Sequence, residues 1–250
     1  MVRTAADRRL FWEGCHNVRD LGGMPSFRGK ATRFGALVRA DNPGGLTGRG
    51  AASLCKHGVS TIIDLRNMTE RMATGDASRR LAENSGLEYV HVPLLGNASR
   101  ETLALLGASK STVDIYRMLL TSCHRQLGLV FRAIAGAVSG GILVHCQAGR
   151  DRTGIVTALL LAAAGVPNGV IAEDYRLSAS CLAPLYARYA QASSNAEERA
   201  ALLAENRSES SDMLNTLAVV YDRHGGVENY LVEAGLEPAE LQAAVARLFD

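Results

Sequence analysis

The segment Gly141-Ile142-Leu143-Val144-His145-Cys146-Gln147-Ala148-Gly149-Arg150-Asp151-Arg152-Thr153-Gly154 constrains this chain more than any other. An apolar run of strand type ends at His145, a short loop of small and charged residues follows, and from Asp151 the residues suit a buried helix reaching Ala164. Strand, tight loop and helix in that order aim unpaired backbone N–H groups and the positive end of a helix dipole at one point. That point is an anion site. Cys146 places a thiol inside it, where the helix field and the Arg152 guanidinium favour the thiolate. The six-residue step from Cys146 to Arg152 lets the loop curl around a tetrahedral phosphate. The amides of Gln147, Ala148, Gly149, Arg150, Asp151 and Arg152, with the planar Arg152 fork, then face its equatorial oxygens. Gly149 sits where the backbone must come closest. His145 is expected to orient the loop through its ring, and Thr153 to offer its hydroxyl to the Cys146 sulfur.

Four β-type runs are visible: Ala36 to Ala40, Ser60 to Leu65, Glu88 to Pro93 and Gly141 to His145. Between them the spacing predicts helices over Leu46 to His57, with Thr47 as cap and Gly58 as stop, over Ala77 to Ser85, and over Ser111 to Ser122 and Arg125 to Ser139. Strands interleaved with helices predict an α/β fold, a central sheet of about four to five strands flanked by helices. Beyond Asp151 the C-terminal part reads as all helix. Its segments are Asp151 to Ala164, Pro167 to about Ser180, Leu182 to Glu205 with a break at Ser193-Ser194-Asn195, two helices flanking His224-Gly225-Gly226, and Pro238 to Leu248. A chain of 250 residues, 47% hydrophobic, suits one domain over 1-250.

The formal charge of +2 rests on nearly balanced acids and bases, so no nucleic-acid partner is expected. Lysine stands only at Lys30, Lys56 and Lys110 while arginine, alanine and glycine abound, the usage of a GC-rich bacterial genome. Residues Met1 to Arg9 carry no apolar stretch behind their charges, so they do not read as a secretory leader. The longest apolar run, Ile155 to Val166, falls short of the roughly 18 residues of a membrane span. Cys15, Cys55, Cys123, Cys146 and Cys181 are odd in number and widely spaced, as in reduced thiols of a cytoplasmic protein. Cys15-His16, Cys55 with His57, and Cys123-His124 lack the paired spacing of a metal site.

His145-Cys146, Gly149 and Arg152-Thr153 together resemble the signature loop of the protein tyrosine phosphatase superfamily. Further stretches are similar to the atypical bacterial tyrosine phosphatases that also accept phosphoinositides. These are Asn17-Val18-Arg19-Asp20-Leu21-Gly22-Gly23, Arg39-Ala40-Asp41, Ile63-Asp64-Leu65-Arg66 with Glu70, Asp174-Tyr175 with Leu177-Ser178, Tyr221-Asp222 with Gly225-Gly226, and Tyr230-Leu231. The resemblance spans nearly the whole chain. It implies hydrolysis of phosphate monoesters through a phosphocysteine on Cys146, with no metal or other cofactor, and phosphotyrosine in proteins as the first substrate, with phosphoserine, phosphothreonine (dual specificity) and phosphoinositides as the alternatives. The chain departs from the family at Arg150, where Lys is usual. The charge stays and the shape changes, which leaves head-group preference open.

Expelling the leaving oxygen calls for a proton donor. Most members of the superfamily carry an aspartate on the loop after the third strand, but Leu94-Leu95-Gly96-Asn97-Ala98-Ser99-Arg100 has none. Asp151, inside the phosphate loop, is the first candidate and Asp64 the second. Arg19, Asp20, Asp64 and Arg66 are expected to pair beneath the loop. The stretch from about 182 to 222 is either a helical insertion that acts as a lid or ordinary surface helix. An inositol polyphosphate phosphatase, a sulfurtransferase and a silent phosphate-binding module are the rival readings.

Overall fold

The computed structural model describes residues 8–96, 98–109 and 111–249. Most of the N-terminal stretch read for a leader, residues 1–7, and Asn97 of the loop examined for an acid lie outside them. The described residues form a five-stranded sheet of β1 (Arg19–Asp20), β2 (Leu37–Ala40), β3 (Val59–Asp64), β4 (Glu88–His91) and β5 (Gly141–His145), in the order β1-β2-β5-β3-β4. β1 is antiparallel to β2; the other neighbours are parallel. Register brings Ala40 and Asp64 level with His145, and His91 level with Asp64. Four strands therefore end on one line, and the residues that follow them meet at the carboxyl edge of the central strand, where α/β sheets place ligands.

Strand β5 is buried from end to end, and its side chains alternate between two cores. Ile142 and Val144 join Leu127, Phe131, Leu159 and Leu217 on one face, while Leu143 joins Trp12, Val38, Leu54 and Ile62 on the other. The first core is covered by α5 (Thr112–Ser122), α6 (His124–Gly136), α7 (Asp151–Ala163), α10 (Ser210–His224), α11 (Val227–Glu233) and α12 (Pro238–Ala246). The second is covered by α1 (Gly48–Lys56) and α3 (Ala77–Ser85). Helix α7 lies between the sheet and the outer helices, which is why Ile155 through Leu161 are buried on every side of it. Each of its leucines contributes about 1.5–3 kcal/mol by leaving water.

The sequence pattern misses three elements. β1 has two residues, too few to show a period, α2 (Met68–Ala73) has only six, and α4 (Arg100–Ala108) is missed although it is as long as α1 and α3. It also cuts one helix in two: α8 runs unbroken from Asn168 to Ala192, with Pro184 inside it. A proline there leaves the carbonyl four residues earlier unbonded, but burial of Cys181, Leu182 and Tyr186 carries the helix through. The stretch 182–222 is divided among three helices. Its start belongs to α8, and α10 buries Met213, Leu217 and Val220 in the core; α9 (Ala196–Glu205) buries no residue.

Candidate active site

Residues 146–150 carry the chain from β5 into α7. Gly149 has φ +65°, and a Cβ there would stand 2.2 Å from the Ala40 carbonyl oxygen. No other residue type fits that close approach. Each carbonyl of the loop is held from outside. His145 Nδ1 donates to the Cys146 carbonyl at 3.0 Å, and the Asn42 amide to that of Gln147 at 3.0 Å. Asn17 Nδ2 donates to those of Ala148 and Gly149 at 2.9 and 3.1 Å. Arg39 Nη2 reaches Gly149 at 2.8 Å and Arg150 at 3.3 Å. In a planar trans peptide a carbonyl and the next amide point opposite ways, so outward carbonyls at 146–150 turn the amides of Gln147 to Asp151 inward, and none of these makes a backbone hydrogen bond among the described residues. The Cys146 side chain is buried at the start of this ring.

The outward contacts belong to two buried charge clusters. In the first, Asp174 on α8 takes Arg8, Arg19 and Arg39 at 3.3, 3.2 and 3.0 Å. Burial alone would raise its pKa, but the three guanidinium groups outweigh it and hold the carboxyl well below the usual range. Arg19 also hydrogen-bonds Asn17 and Ser178, which fixes the Asn17 amide under the loop. In the second, Asp64 accepts from Arg66 Nη2 at 2.7 Å and from the Tyr89 hydroxyl at 2.7 Å. His145 lies 3.5 Å away through Nε2, which makes no hydrogen bond. Burial pushes the His145 ring down to about 4, so at neutral pH it is uncharged, with its proton on Nδ1 and no ion pair to Asp64.

Arg152 meets Glu70 through both terminal nitrogens, at 2.7 and 2.6 Å. Glu70 is itself fixed as the third residue of α2, where its carboxylate and the Asn67 side chain cap each other's amides. Burial would raise the Glu70 carboxyl, but Arg152 overrides it and keeps it low. Asp151 opens α7 without capping it. Its carboxylate turns toward the cleft, about 35% exposed, and accepts from the Tyr116 hydroxyl at 2.6 Å and from Arg150 Nε at 3.2 Å. Arg150 donates in turn to the Glu205 carbonyl at the end of α9, at 2.7 Å. These groups line a cleft of about 980 Å³, walled by Leu95, Leu119 and Ala204 and shared with Asp212 of α10.

Three expectations change. Asp64 is fully buried, with its oxygens engaged by the Arg66 fork and the Tyr89 hydroxyl, so it is not placed to give up a proton in the cleft. Asp20 leaves the supporting group: it accepts from His57 at 2.8 Å and from the Gly22 and Gly35 amides. The Thr153 hydroxyl is buried without a partner and forms no bond with the Cys146 sulfur. Sequence reasoning overlooked Asn17 as a loop donor, and also Tyr116, Tyr175, Glu205 and Asp212. None lies within 30 residues of Cys146 except Tyr116 and Tyr175, and of these only Tyr175 was noticed, as part of the stretch Asp174-Tyr175 and with no role at the site.

A buried cysteine, an arginine six residues on and a ring of convergent amides between them define a cysteine-dependent phosphatase. The sequence profile described as "Tyrosine phosphatase family" matches residues 10–250, and the chain belongs to that family. It is 29% identical over 231 residues to a protein of Nostoc commune named tyrosine-protein phosphatase, covering 90% of this chain and 78% of that protein. It is 28% identical over 205 residues to a protein of Mycobacterium tuberculosis named triple specificity protein phosphatase PtpB, covering 70% of this chain and 74% of that one.

Proposed function

We propose that this phosphatase acts on phosphotyrosine in proteins, with Cys146 as nucleophile and Asp151 as acid and then base. The Cys146 sulfur attacks phosphorus in line, and a sulfur–phosphorus bond forms as the bond to the tyrosine oxygen breaks. The loop amides and the Arg152 guanidinium take the charge that gathers on the equatorial oxygens. Asp151 gives its proton to the departing oxygen, then accepts one from the water that splits the phosphocysteine. The observation that carries this reading is the outward capture of every loop carbonyl from Cys146 to Arg150. An amide ring fixed in advance needs no rearrangement to meet the transition state.

The volume of the cleft beside the loop, about 980 Å³, supports a bulky ester, and α9, tied down through Arg150 and Glu205, serves as its cover. Phosphoserine, phosphothreonine and phosphoinositides are the further substrates to be tested, a breadth in keeping with the relative named for triple specificity. Five free thiols support a reducing, cytoplasmic setting. The test is a panel of phosphotyrosine, phosphoserine and phosphothreonine peptides, a phosphoinositide and an inositol polyphosphate, run with and without chelator. Phosphotyrosine should turn over fastest, chelator should change nothing, and Cys146→Ser should fall to background. Activity that survives Cys146→Ser, or that prefers the inositol polyphosphate, overturns the reading.

A further inference from the structure

Helices α5, α7 and α8 converge behind the cleft and bring three oxygens into a line: Tyr175, Tyr116 and Asp151. The Tyr116 hydroxyl donates to Asp151 Oδ1 at 2.6 Å. A phenol has one proton, so the 2.7 Å contact between the two tyrosine hydroxyls has Tyr175 as donor and Tyr116 as acceptor. Both rings are buried, with exposures of 0% and 1%, and they meet edge to face at 6.0 Å. Gly154 makes room for this: a Cβ there would stand 3.2 Å from the Tyr175 ring. Burial first, then the Asp151 charge, keeps the Tyr116 hydroxyl protonated far above its ordinary range, and the same causes push Tyr175 up to about 12.

We infer that Tyr116, backed by Tyr175, is a positioning residue that decides which oxygen of Asp151 carries the transferable proton. The inference rests on Asp151 being the acid. Oδ1 is occupied as the acceptor of a short bond from a donor that keeps its proton. When Asp151 is protonated, its hydrogen therefore resides on Oδ2. Arg150 Nε does not make this distinction, since it stands 3.2 Å from both oxygens. As the phosphorus–oxygen bond of the ester breaks and the sulfur–phosphorus bond forms, the Oδ2 proton passes to the leaving oxygen. Asp151 is left as a carboxylate, whose new charge strengthens the bond from Tyr116. In the second step the same oxygen is held ready to take a proton from water.

Tyr116→Phe keeps the ring and removes the hydroxyl, which makes it the test. Its kcat/KM on phenyl phosphate should fall about tenfold or more, within the range of acid catalysis. Loss on 4-nitrophenyl phosphate, whose leaving group needs little protonation, should stay under about threefold. Inhibition by inorganic phosphate, which reads the loop alone, should not move. Adding Tyr116→Phe to Asp151→Asn should cost nothing further on phenyl phosphate, because both changes remove one function. Tyr175→Phe should show the same leaving-group pattern more weakly, and no effect once Tyr116 is Phe. Equal losses on both esters, full additivity with Asp151→Asn, or an unchanged rate on phenyl phosphate overturns the inference. Asp151→Asn measured alone separates the failures: if it too slows both esters equally, the acid assignment falls and takes Tyr116 with it. If it discriminates between them and Tyr116→Phe does not, only the role of Tyr116 is lost.

Discussion

Beneath the phosphate loop, charges meet their opposites away from water: Asp174 takes three arginines and Asp64 takes Arg66. On the rim, Asp151 and Arg150 meet each other at 3.2 Å with the carboxylate still about one-third exposed. The two regions share a backbone and differ in what they hold. The underside fixes carbonyls and so sets geometry. The rim holds a group that must exchange protons, and such a group has to stay reachable from the cleft. Changes below should therefore register in stability, and changes on the rim in rate.

The sharpest way to break that division is Asp151→Asn. It should lower kcat/KM on phenyl phosphate by about 10² to 10⁴ and leave the melting temperature where it was; a large drop in stability would show that the rim is structural as well. Next comes Asp174→Asn, which leaves three buried guanidinium groups without their counter-charge. A loss of about 3–5 kcal/mol in urea unfolding is expected, and a loss of rate at full stability would contradict the division.

His145 gives a smaller effect, read by pH. Its ring is held near 4 when folded, against 6.5 for an unperturbed histidine. Between those values the unfolded chain binds a proton that the folded chain does not, so stability falls as the pH drops from 6.5 toward 4. The slope is at most about 1.4 kcal/mol per pH unit from this one group. Unfolding curves of His145→Asn over that window should be flatter by that amount. The smallest effect belongs to Arg150→Lys. One ammonium cannot hold both the Asp151 carboxylate and the Glu205 carbonyl as the guanidinium does. Losing a single exposed hydrogen bond should change KM for a phosphopeptide about two- to tenfold and leave phenyl phosphate nearly untouched.

The same contrast marks how far the sequence could be read. The strand, loop and helix around Cys146 are contiguous, and their period and residue types show at once. The clusters below are joined across long separations: Arg39 reaches Gly149 over 110 residues, and Arg19 reaches Asp174 over 155. Contacts of that kind leave no local pattern, so Asp20 looked as good a support as Arg19. Tyr116 was hidden differently. Its spacing on α5 is that of a core residue, and it is one; only its hydroxyl faces another task. Helix α8 was read as two, parted between Ser180 and Leu182, while the packing of Cys181, Leu182 and Tyr186 that carries it through is tertiary.

Gly149 has a consequence for anyone who would engineer this protein. The space its missing methyl would fill is taken by the Ala40 carbonyl of the neighbouring strand. Loop and strand are thus cut to one another's outline, like key and lock blank. Grafting the seven residues from Cys146 to Arg152 onto a foreign sheet would fail unless that strand travelled along in its native register. The smallest transplantable catalytic part here is a strand pair, not a loop.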